Sequence, residues 1–347
     1  MPTYATITLS PAIDISLTLD HVLMPNAVHR VASETRQPGG KGVNVAKVLA
    51  AHGCEVSAGG LLGADNAAIF EQELSRLGIC DRFVRIPGAT RSNLMLSDGT
   101  AEYKINRPAF PELHVKFPSC GGVPSLSPFP SCEGVPEGTE SRGRGGPSCN
   151  LSCALLDEVA ARATERADVV IISGALPSRF PADTYARLIA TLKAAGRTVV
   201  FDASGDALVQ GATAKPHIIK PNRAECETLL GKALLTPESM AQACKELCAD
   251  HEVVILSDGP RGCYYASGGT VTHAAVPDIP VVDTTAAGDT FVAYLLAGLE
   301  SDRDVPACLS LAAMAAAITV SRMGAASSIP FMDEVRSCHT AHQIKGD

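Results

Sequence analysis

The sequence lacks the features that mark several large classes of protein. Its 347 residues hold 29 Lys and Arg against 37 Asp and Glu, so it has no basic excess of the kind that nucleic-acid-binding proteins carry. Its first residues show no basic leader and alternate in the manner of a strand. Its longest apolar run, residues 305–320, contains Pro306 and Ser310 and is too short to cross a bilayer. These absences favour a globular protein of the cytoplasm.

Close cysteine pairs are also lacking. The chain has twelve cysteines, but none of them form a Cys-x-x-Cys pair, and in a chain of this size they are expected to be reduced thiols. Four lie in one stretch, at Cys120, Cys132, Cys149 and Cys153, with irregular spacing. We therefore expect no zinc site there.

Residues 111–153 differ in composition from the rest of the chain. Residues 117–124 nearly repeat as residues 129–136, and a tract of Gly, Ser and Arg follows over 138–148. Such a segment cannot bury enough apolar surface to offset its chain entropy. We interpret it as a low-complexity loop inserted into a single domain, residues 1–347.

Outside that segment the pattern is one of apolar strands alternating with helices. Strand-like runs occur at 169–172, 198–201 and 253–256, and helical spacing occurs at 182–195 and 237–249. This alternation predicts an α/β fold with a largely parallel sheet sandwiched by helices. In such sheets ligands bind at the carboxyl ends of the strands.

The most informative stretch is residues 281–291. A β run is expected to end at Asp283, small residues follow, and an apolar helix begins near Gly288. A helix start presents unpaired N–H groups that suit the charge on a transferred phosphoryl group, and Asp289 would accept the proton of an attacking hydroxyl. The same residues are also consistent with an ordinary turn in which the aspartate caps the helix and has no catalytic role.

A second glycine-rich stretch, residues 38–46, precedes a predicted helix over 42–51. It is not a phosphate-binding P-loop, because Gly42 follows the Gly-Lys pair where Ser or Thr is needed. It is not a dinucleotide fingerprint either, since Val45 stands in place of the last glycine. Two glycines before a helix also suit a simple turn.

These two stretches together resemble the signatures of the ribokinase-like carbohydrate kinases, the phosphofructokinase B group. The resemblance implies that Asp289 is the catalytic base and that the residues before it form the anion hole, namely Ala286, Ala287 and Gly288. It also implies a sugar site in which Lys41 faces a phosphate and the other members contact the sugar, namely Gly39, Gly40 and Asn44.

Further elements resemble the family in the same order along the chain. On the substrate side they are Asp14, Arg91 and Asn93. On the nucleotide side the resemblance implies that Asn222 and Glu225 organise Mg²⁺ through water and the phosphates of ATP, and that a hairpin approaches ATP through Ser257, Gly259 and Gly262. A monovalent cation such as K⁺ is a further implied cofactor. Each element taken alone also suits a turn, a helix cap or a solvated charge.

Two positions depart from the family pattern. Ala175 stands where a second serine is usual, which removes one hydroxyl from the substrate side. Arg107 is basic where relatives often have a neutral or acidic residue.

The resemblance further implies a small β lid from about residues 11–38 and 89–108, through which two copies form a homodimer. The expected reaction is transfer of the γ-phosphoryl group of ATP to a phosphorylated ketohexose, because Lys41 and Arg91 would neutralise a phosphate already present. Our first choice is fructose 1-phosphate, giving fructose 1,6-bisphosphate. The alternatives are tagatose 6-phosphate or fructose 6-phosphate as substrate, or a catalytically silent sugar-phosphate-binding protein of the same fold.

Overall fold

A computed structural model of the chain describes residues 2–109, 147–299, 304–322, 324 and 328–346, without the side chains of 147–153 and 341–346. Most of the predicted insertion, and the side chains of its four cysteines, lie outside the described residues. None of the described helices is long and apolar enough to cross a membrane.

The strands follow apolar or alternating runs of the sequence. In chain order they are β1 (Tyr4–Thr8), β2 (Ala12–Leu19), β3 (Val31–Gly39), β4 (Val56–Gly63), β5 (Cys80–Ile86), β6 (Ser92–Ser97), β7 (Glu102–Asn106), β8 (Val169–Ser173), β9 (Thr198–Asp202), β10 (Ile218–Ile219), β11 (Val253–Ser257), β12 (Cys263–Ser267) and β13 (Thr270–Ala274).

The larger sheet has nine strands in the order β13-β12-β11-β10-β9-β8-β1-β4-β5. Neighbouring strands from β5 to β11 run parallel, and only β12 and β13 are antiparallel, as a hairpin at one edge. The middle strands β1 and β8 are buried almost throughout, as expected for a parallel sheet covered on both faces.

Helices cover both faces of this sheet. They are α1 (Lys41–Ala51), α2 (Ala68–Arg76), α3 (Pro147–Thr164), α4 (Thr184–Ala194), α5 (Asp206–Ala212), α6 (Arg223–Leu230), α7 (Pro237–Leu247), α8 (Ala287–Leu299), α9 (Val305–Val320) and α10 (Met332–Gly346). One apolar core lies under α3 to α7, and the other lies under α1, α2, α8, α9 and α10. The predicted α/β sandwich is thus present.

The smaller sheet has four strands in the order β3-β2-β6-β7. It is built from the segments predicted as a lid, 11–38 and 89–108. Its outer strand β7 is exposed along its whole length, whereas Ile13 at the start of β2 packs into the core below α1. Its role as a lid stays a prediction.

Two local expectations are wrong. Residues 281–283 do not form a strand, because Val281 and Val282 are exposed and the N–H groups of Val282 and Asp283 both donate to the carbonyl of Val320 at the end of α9. The predicted insertion also ends too late, because α3 already begins at Pro147. Proline is well tolerated at a first helical position, since its missing N–H would have no partner there.

Candidate active site

Charged side chains gather where the neighbouring strands β9 and β10 of the larger sheet end. Asp202 is the last residue of β9, and Lys220 directly follows β10, so the parallel strands bring both to one edge of the sheet. Lys41, the first residue of α1, reaches the same point. The amines of Lys41 and Lys220 lie 3.2 and 3.3 Å from Oδ1 of Asp202, whose side chain is buried. The result is one carboxylate held between two ammonium groups.

Asp289 lies in the first turn of α8 and is buried beside this cluster. The amide nitrogen of Asn44 donates to its Oδ2 at 2.9 Å. Burial, assisted by the negative charge of Asp202, raises the pKa of Asp289 to about 6, against the lowering effect of Lys41, Asn44 and Lys220. At neutral pH this carboxyl group is therefore mostly ionised and able to accept a proton.

The turn before Asp289 has an unusual backbone. Ala286 adopts a left-handed φ of 63°, and its carbonyl accepts the N–H of Thr290, so that α8 begins immediately after it. A side chain at Gly288 would place its Cβ 3.4 Å from the amine of Lys220. The first N–H groups of α8, which have no partner within the helix, thus lie beside a positive charge, and this arrangement suits a phosphoryl group. We call these groups the transfer side of the site: Asp289, its turn at 286–288, Asp202, Lys41 and Lys220.

A second polar cluster lies on the smaller sheet. Asp14 and Asn93 are register partners on β2 and β6, and Nδ2 of Asn93 donates to Oδ1 of Asp14 at 2.9 Å. A Cβ at Gly39 would lie only 2.0 Å from Oδ2 of Asp14, so glycine is required there for the carboxylate to keep its position. Burial raises the pKa of Asp14, whereas Asn93, Lys47 and Arg91 lower it.

Arg91 precedes β6 and contacts the same cluster. Its guanidinium donates to Oδ1 of Asn93 at 2.9 Å and to the carbonyl of Arg107 at 3.2 Å. Its Nε is buried and has no hydrogen-bond partner among the described residues. We call this cluster, Asp14, Gly39, Arg91, Asn93 and Lys47, the sugar side of the site, after the role predicted for most of its members.

Lys47 belongs to the sugar side through the backbone that it holds. It is buried on α1, three residues after Asn44, and its amine donates to the carbonyl of Pro38 at 2.6 Å. Burial lowers the pKa of Lys47 to about 8, against the charges of Glu73 and Asp14. The amine thus fixes the chain immediately before Gly39.

The elements predicted to contact the nucleotide have a clear local geometry. Asn222 and Glu225 form a reciprocal capping box at the start of α6, with bonds of 2.9 Å and 2.8 Å. Asn222 also pairs with Ser257 as an isolated bridge at the end of β11. Gly259 and Gly262 both have positive φ, and a Cβ at Gly262 would lie 2.0 Å from the carbonyl oxygen of Ala274.

Comparison with known proteins identifies the family to which this site belongs. The description "pfkB family carbohydrate kinase" matches residues 7–108 and 146–332. The chain belongs to this family. It is therefore a kinase, a phosphotransferase with an alcohol group as acceptor, as the sequence motifs predict. The unmatched residues 109–145 overlap the segment interpreted as an insertion.

Named relatives agree with this assignment. The chain is 34% identical to 1-phosphofructokinase of Rhodobacter capsulatus, over 84% of this chain and 82% of that protein. It is 32% identical to 1-phosphofructokinase of Vibrio cholerae serotype O1, over 92% of this chain and 90% of that protein.

Solved structures show the same fold. Phosphofructokinase-2 from Escherichia coli in complex with potassium aligns with a TM-score of 0.79 over 99% of this chain and all of the other, at 18% identity. Ribokinase from Thermotoga maritima aligns with a TM-score of 0.68 over 97% of this chain and 99% of the other, at 21% identity. The predicted ribokinase-like fold is confirmed.

Within this kinase the structure brings many of the predicted residues together. Lys41, Asn44 and Asp289 meet on the transfer side, and Asp14, Gly39, Arg91 and Asn93 meet on the sugar side. Gly40, with φ of 114°, links the two by starting α1. Burial lowers the pKa of Lys41, but the charges of Asp202 and Asp289, with a smaller effect of Glu225, raise it above its usual value.

Three charged residues of the site were not predicted: Asp202, Lys220 and Lys47. For Asp202 and Lys220 a usable signal is a charged residue at the end of an apolar strand. For Lys47 the signal was its spacing from Asn44, which puts both on one helix face. The two positions that depart from the family pattern contribute backbone carbonyls: that of Ala175 accepts the hydroxyl of Tyr185, and that of Arg107 accepts the guanidinium of Arg91.

Proposed function

We propose that this kinase transfers the γ-phosphoryl group of ATP to the 6-hydroxyl of fructose 1-phosphate and so produces fructose 1,6-bisphosphate. The observation that carries the proposal is the pairing of a buried, ionised Asp289 with a positively charged helix start. The relatives named 1-phosphofructokinase support the choice of substrate.

Asp289 acts as the general base in this proposal. Its carboxylate accepts the proton of the attacking hydroxyl, while Asn44 holds Oδ2 so that the other oxygen faces the substrate. A pKa of about 6 keeps the carboxyl group ionised at neutral pH and close enough to that pH to act as an effective acceptor.

The turn 286–288 and Lys220 stabilise the transferred group. The N–H groups of Ala287 and Gly288 and the nearby amine supply fixed positive charge where negative charge spreads over the phosphoryl oxygens. Lys41 and Lys220 both contact the carboxylate of Asp202. The position of Lys41 therefore favours contact with the transferred phosphoryl group over contact with the phosphate already on the sugar. The nucleotide itself would lie along Asn222, Ser257, Gly259 and Gly262.

The residues present also fit Mg²⁺. Oδ2 of Asp202 is buried and has no hydrogen-bond partner among the described residues, and carboxylate oxygens are ligands that Mg²⁺ prefers. Asp202, with Glu225 acting through water, would hold the ion, which supplies positive charge to the phosphates of ATP. A requirement for a monovalent cation such as K⁺ stays a prediction.

On the sugar side, Asp14, Gly39, Gly40 and Asn93 would bind the sugar hydroxyls. Asn44 would contact the sugar through its Oδ1, which has no hydrogen-bond partner in the part of the chain that the structure describes. Arg91 would bind the phosphate of the substrate, because its buried Nε still has a proton to donate. The phosphate would then replace a missing partner rather than compete with an existing one.

The test is an ATP-consumption assay with Mg²⁺ and a panel of fructose 1-phosphate, fructose 6-phosphate, tagatose 6-phosphate and free fructose. We expect the highest kcat/KM for fructose 1-phosphate. A preference for another sugar phosphate would replace our substrate with that one. If no acceptor supports ATP consumption although sugar phosphates bind, the chain is the silent binding protein instead.

We extend the proposal to a cytoplasmic homodimer formed through the smaller sheet. Val31, Tyr103 and Ile105 are apolar and exposed on β3 and β7, and covering them against a second copy would remove this apolar surface from water. Light scattering tests the dimer, which would have about twice the chain mass of 36.0 kDa. A monomer at micromolar concentration would contradict it.

A further inference from the structure

One side chain of the smaller sheet reaches into the loop that leads to Asp289. Lys104 lies in the middle of β7, and its amine lies 2.8 Å from Oδ1 of Asp283 and 3.2 Å from Oγ1 of Thr285. Asp283 and Thr285 stand just before the turn 286–288. The contact therefore joins β7, an edge strand of the smaller sheet, to the backbone that forms the proposed anion hole.

Asp283 is the centre of this loop's hydrogen bonding. Its carboxylate is buried and accepts the N–H and the hydroxyl of Thr285 as well as the N–H of Gly324. Burial raises the pKa of Asp283, but the bonds from Lys104, Thr285 and Gly324 outweigh burial and lower it. Of these donors, only Lys104 carries a charge and only Lys104 comes from the smaller sheet.

We propose that Lys104 is a positioning residue that couples the smaller sheet to the anion hole by holding Asp283 and Thr285. When the amine is in place, the loop before Ala286 is fixed at two points, and the N–H groups at the start of α8 are aimed at the phosphoryl group. When it is absent, Asp283 is a buried carboxylate with no charged partner in its described surroundings, and the loop loses its link to the sheet that carries Asp14 and Asn93.

The chain offers a matched control for the test. Arg36, on β3 of the same sheet, is an exposed cation whose ion-pair partner Glu34 lies on its own strand. Replacing Arg36 by Met removes a charge from the sheet without touching the loop. Lys104 is itself about half exposed, so Lys104→Met is expected to fold.

The inference rests on the proposed role of the turn 286–288, so one readout must not depend on activity. Amide hydrogen exchange without substrate provides it. Lys104→Met should speed exchange across 284–288 and leave the core strands unchanged, whereas Arg36→Met should change neither. If exchange changes but catalysis does not, the coupling exists and the proposed anion hole is at fault.

In the kinase assay Lys104→Met should lower kcat about tenfold while the KM values change little, because a charge-assisted hydrogen bond is lost and the substrates still bind. Lys104→Arg should recover most of the rate, since a guanidinium also pairs with a carboxylate. Thr285→Val should give a smaller loss, and combining it with Lys104→Met should give less than the product of the two effects.

Three outcomes would overturn the proposal. The first is unchanged exchange across 284–288 in Lys104→Met together with a kcat within about twofold of the parent, which is below the loss of one such bond. The second is an equal loss of kcat in Arg36→Met, and the third is fully multiplicative effects in the double variant. If Lys104→Met fails to fold, Lys104→Arg and Thr285→Val still decide the question through exchange and kcat.

Discussion

The two sides of the site are built on different sheets and differ in how completely their polar groups are satisfied. On the transfer side, Oδ2 of Asp202 is buried without a partner among the described residues, and Ala286 has a left-handed backbone. On the sugar side, Asp14, Asn93 and Arg91 form a connected set of hydrogen bonds and charges, in which Nε of Arg91 is left without a partner in the described part of the chain.

This difference shows where each side depends on its ligands. The transfer side has a strained backbone at Ala286 and a carboxylate oxygen, Oδ2 of Asp202, for which Mg²⁺ bound with ATP would be a partner. This side should therefore govern turnover. The sugar side is largely assembled and lacks one anion, so it should govern recognition of the substrate. Changes on the first side should therefore act on kcat, and changes on the second should act on KM.

The largest effect is expected from Asp289→Asn. An amide cannot accept the proton of the attacking hydroxyl, so kcat should fall by about two orders of magnitude or more while ATP binding stays nearly intact. Steady-state kinetics and calorimetric titration with ATP measure the two quantities.

Asp333→Asn is the matched control, because Asp333 also lies in the first turn of a helix but is exposed and belongs to neither cluster. It should leave both quantities unchanged. Near-normal turnover in a folded Asp289→Asn protein would remove Asp289 from the role of base.

The next effect is expected from Arg91→Ala. Loss of a charge-assisted contact to the substrate's phosphate should lower kcat/KM for the sugar phosphate about ten- to a hundredfold, mainly through KM, and leave the KM for ATP largely unchanged. Arg91→Lys should recover only part of this, because an ammonium lacks the planar fork. Equal harm to the reaction of free fructose would show that Arg91 does not bind the phosphate.

Gly39→Ala tests the close approach on the sugar side. The added Cβ would meet Oδ2 of Asp14 at 2.0 Å, so the carboxylate must move, and the KM for the sugar phosphate should rise about tenfold. The paired experiment is the same change in an Asp14→Ala background, where the methyl group has room. There Gly39→Ala should add almost nothing to the KM. A further tenfold rise in KM would show that the methyl group acts through a contact other than the one with Asp14.

The smallest effect is expected from Ala286→Gly. Glycine adopts the left-handed φ of 63° without strain, so the free energy of unfolding should rise by about 0.5–1 kcal/mol. Denaturant unfolding measures the gain. Lys215→Gly, at a φ of 51° away from the two clusters, should give a similar gain, because the exposed ion pair that it loses with Asp250 contributes little.

These two glycine variants should differ in activity. A more flexible turn at 286 should lower kcat, whereas Lys215→Gly should leave kcat unchanged. A loss of stability in Ala286→Gly would show that the left-handed turn carries no strain.

The sequence predicts those parts of the site that are contiguous in the chain. Gly40, Asn44 and Asp289 lie in short motifs whose local geometry decides their role. The strands are predictable because buried runs such as that of β8 are apolar throughout.

The sequence does not predict contacts made only by tertiary packing. Asp202 and Lys41 are 161 positions apart, and nothing in either local pattern reveals that they pair. Val281 and Val282 resemble a strand, but they pair with no strand in the described structure and their side chains are exposed. Lys47 looks like an ordinary helix surface residue until Pro38 and Asp14 are placed against it.

The pH dependence of kcat/KM for the preferred sugar phosphate tests the central claim most directly. Asp289 must be ionised to act, so kcat/KM should fall as the pH drops through an apparent pKa near 6. Asp202→Asn removes a negative charge that raises this pKa and leaves Lys41 and Lys220 to lower it, so the limb should move to lower pH. A flat profile between pH 5 and 7, or a limb that stays in place in Asp202→Asn, would contradict the account.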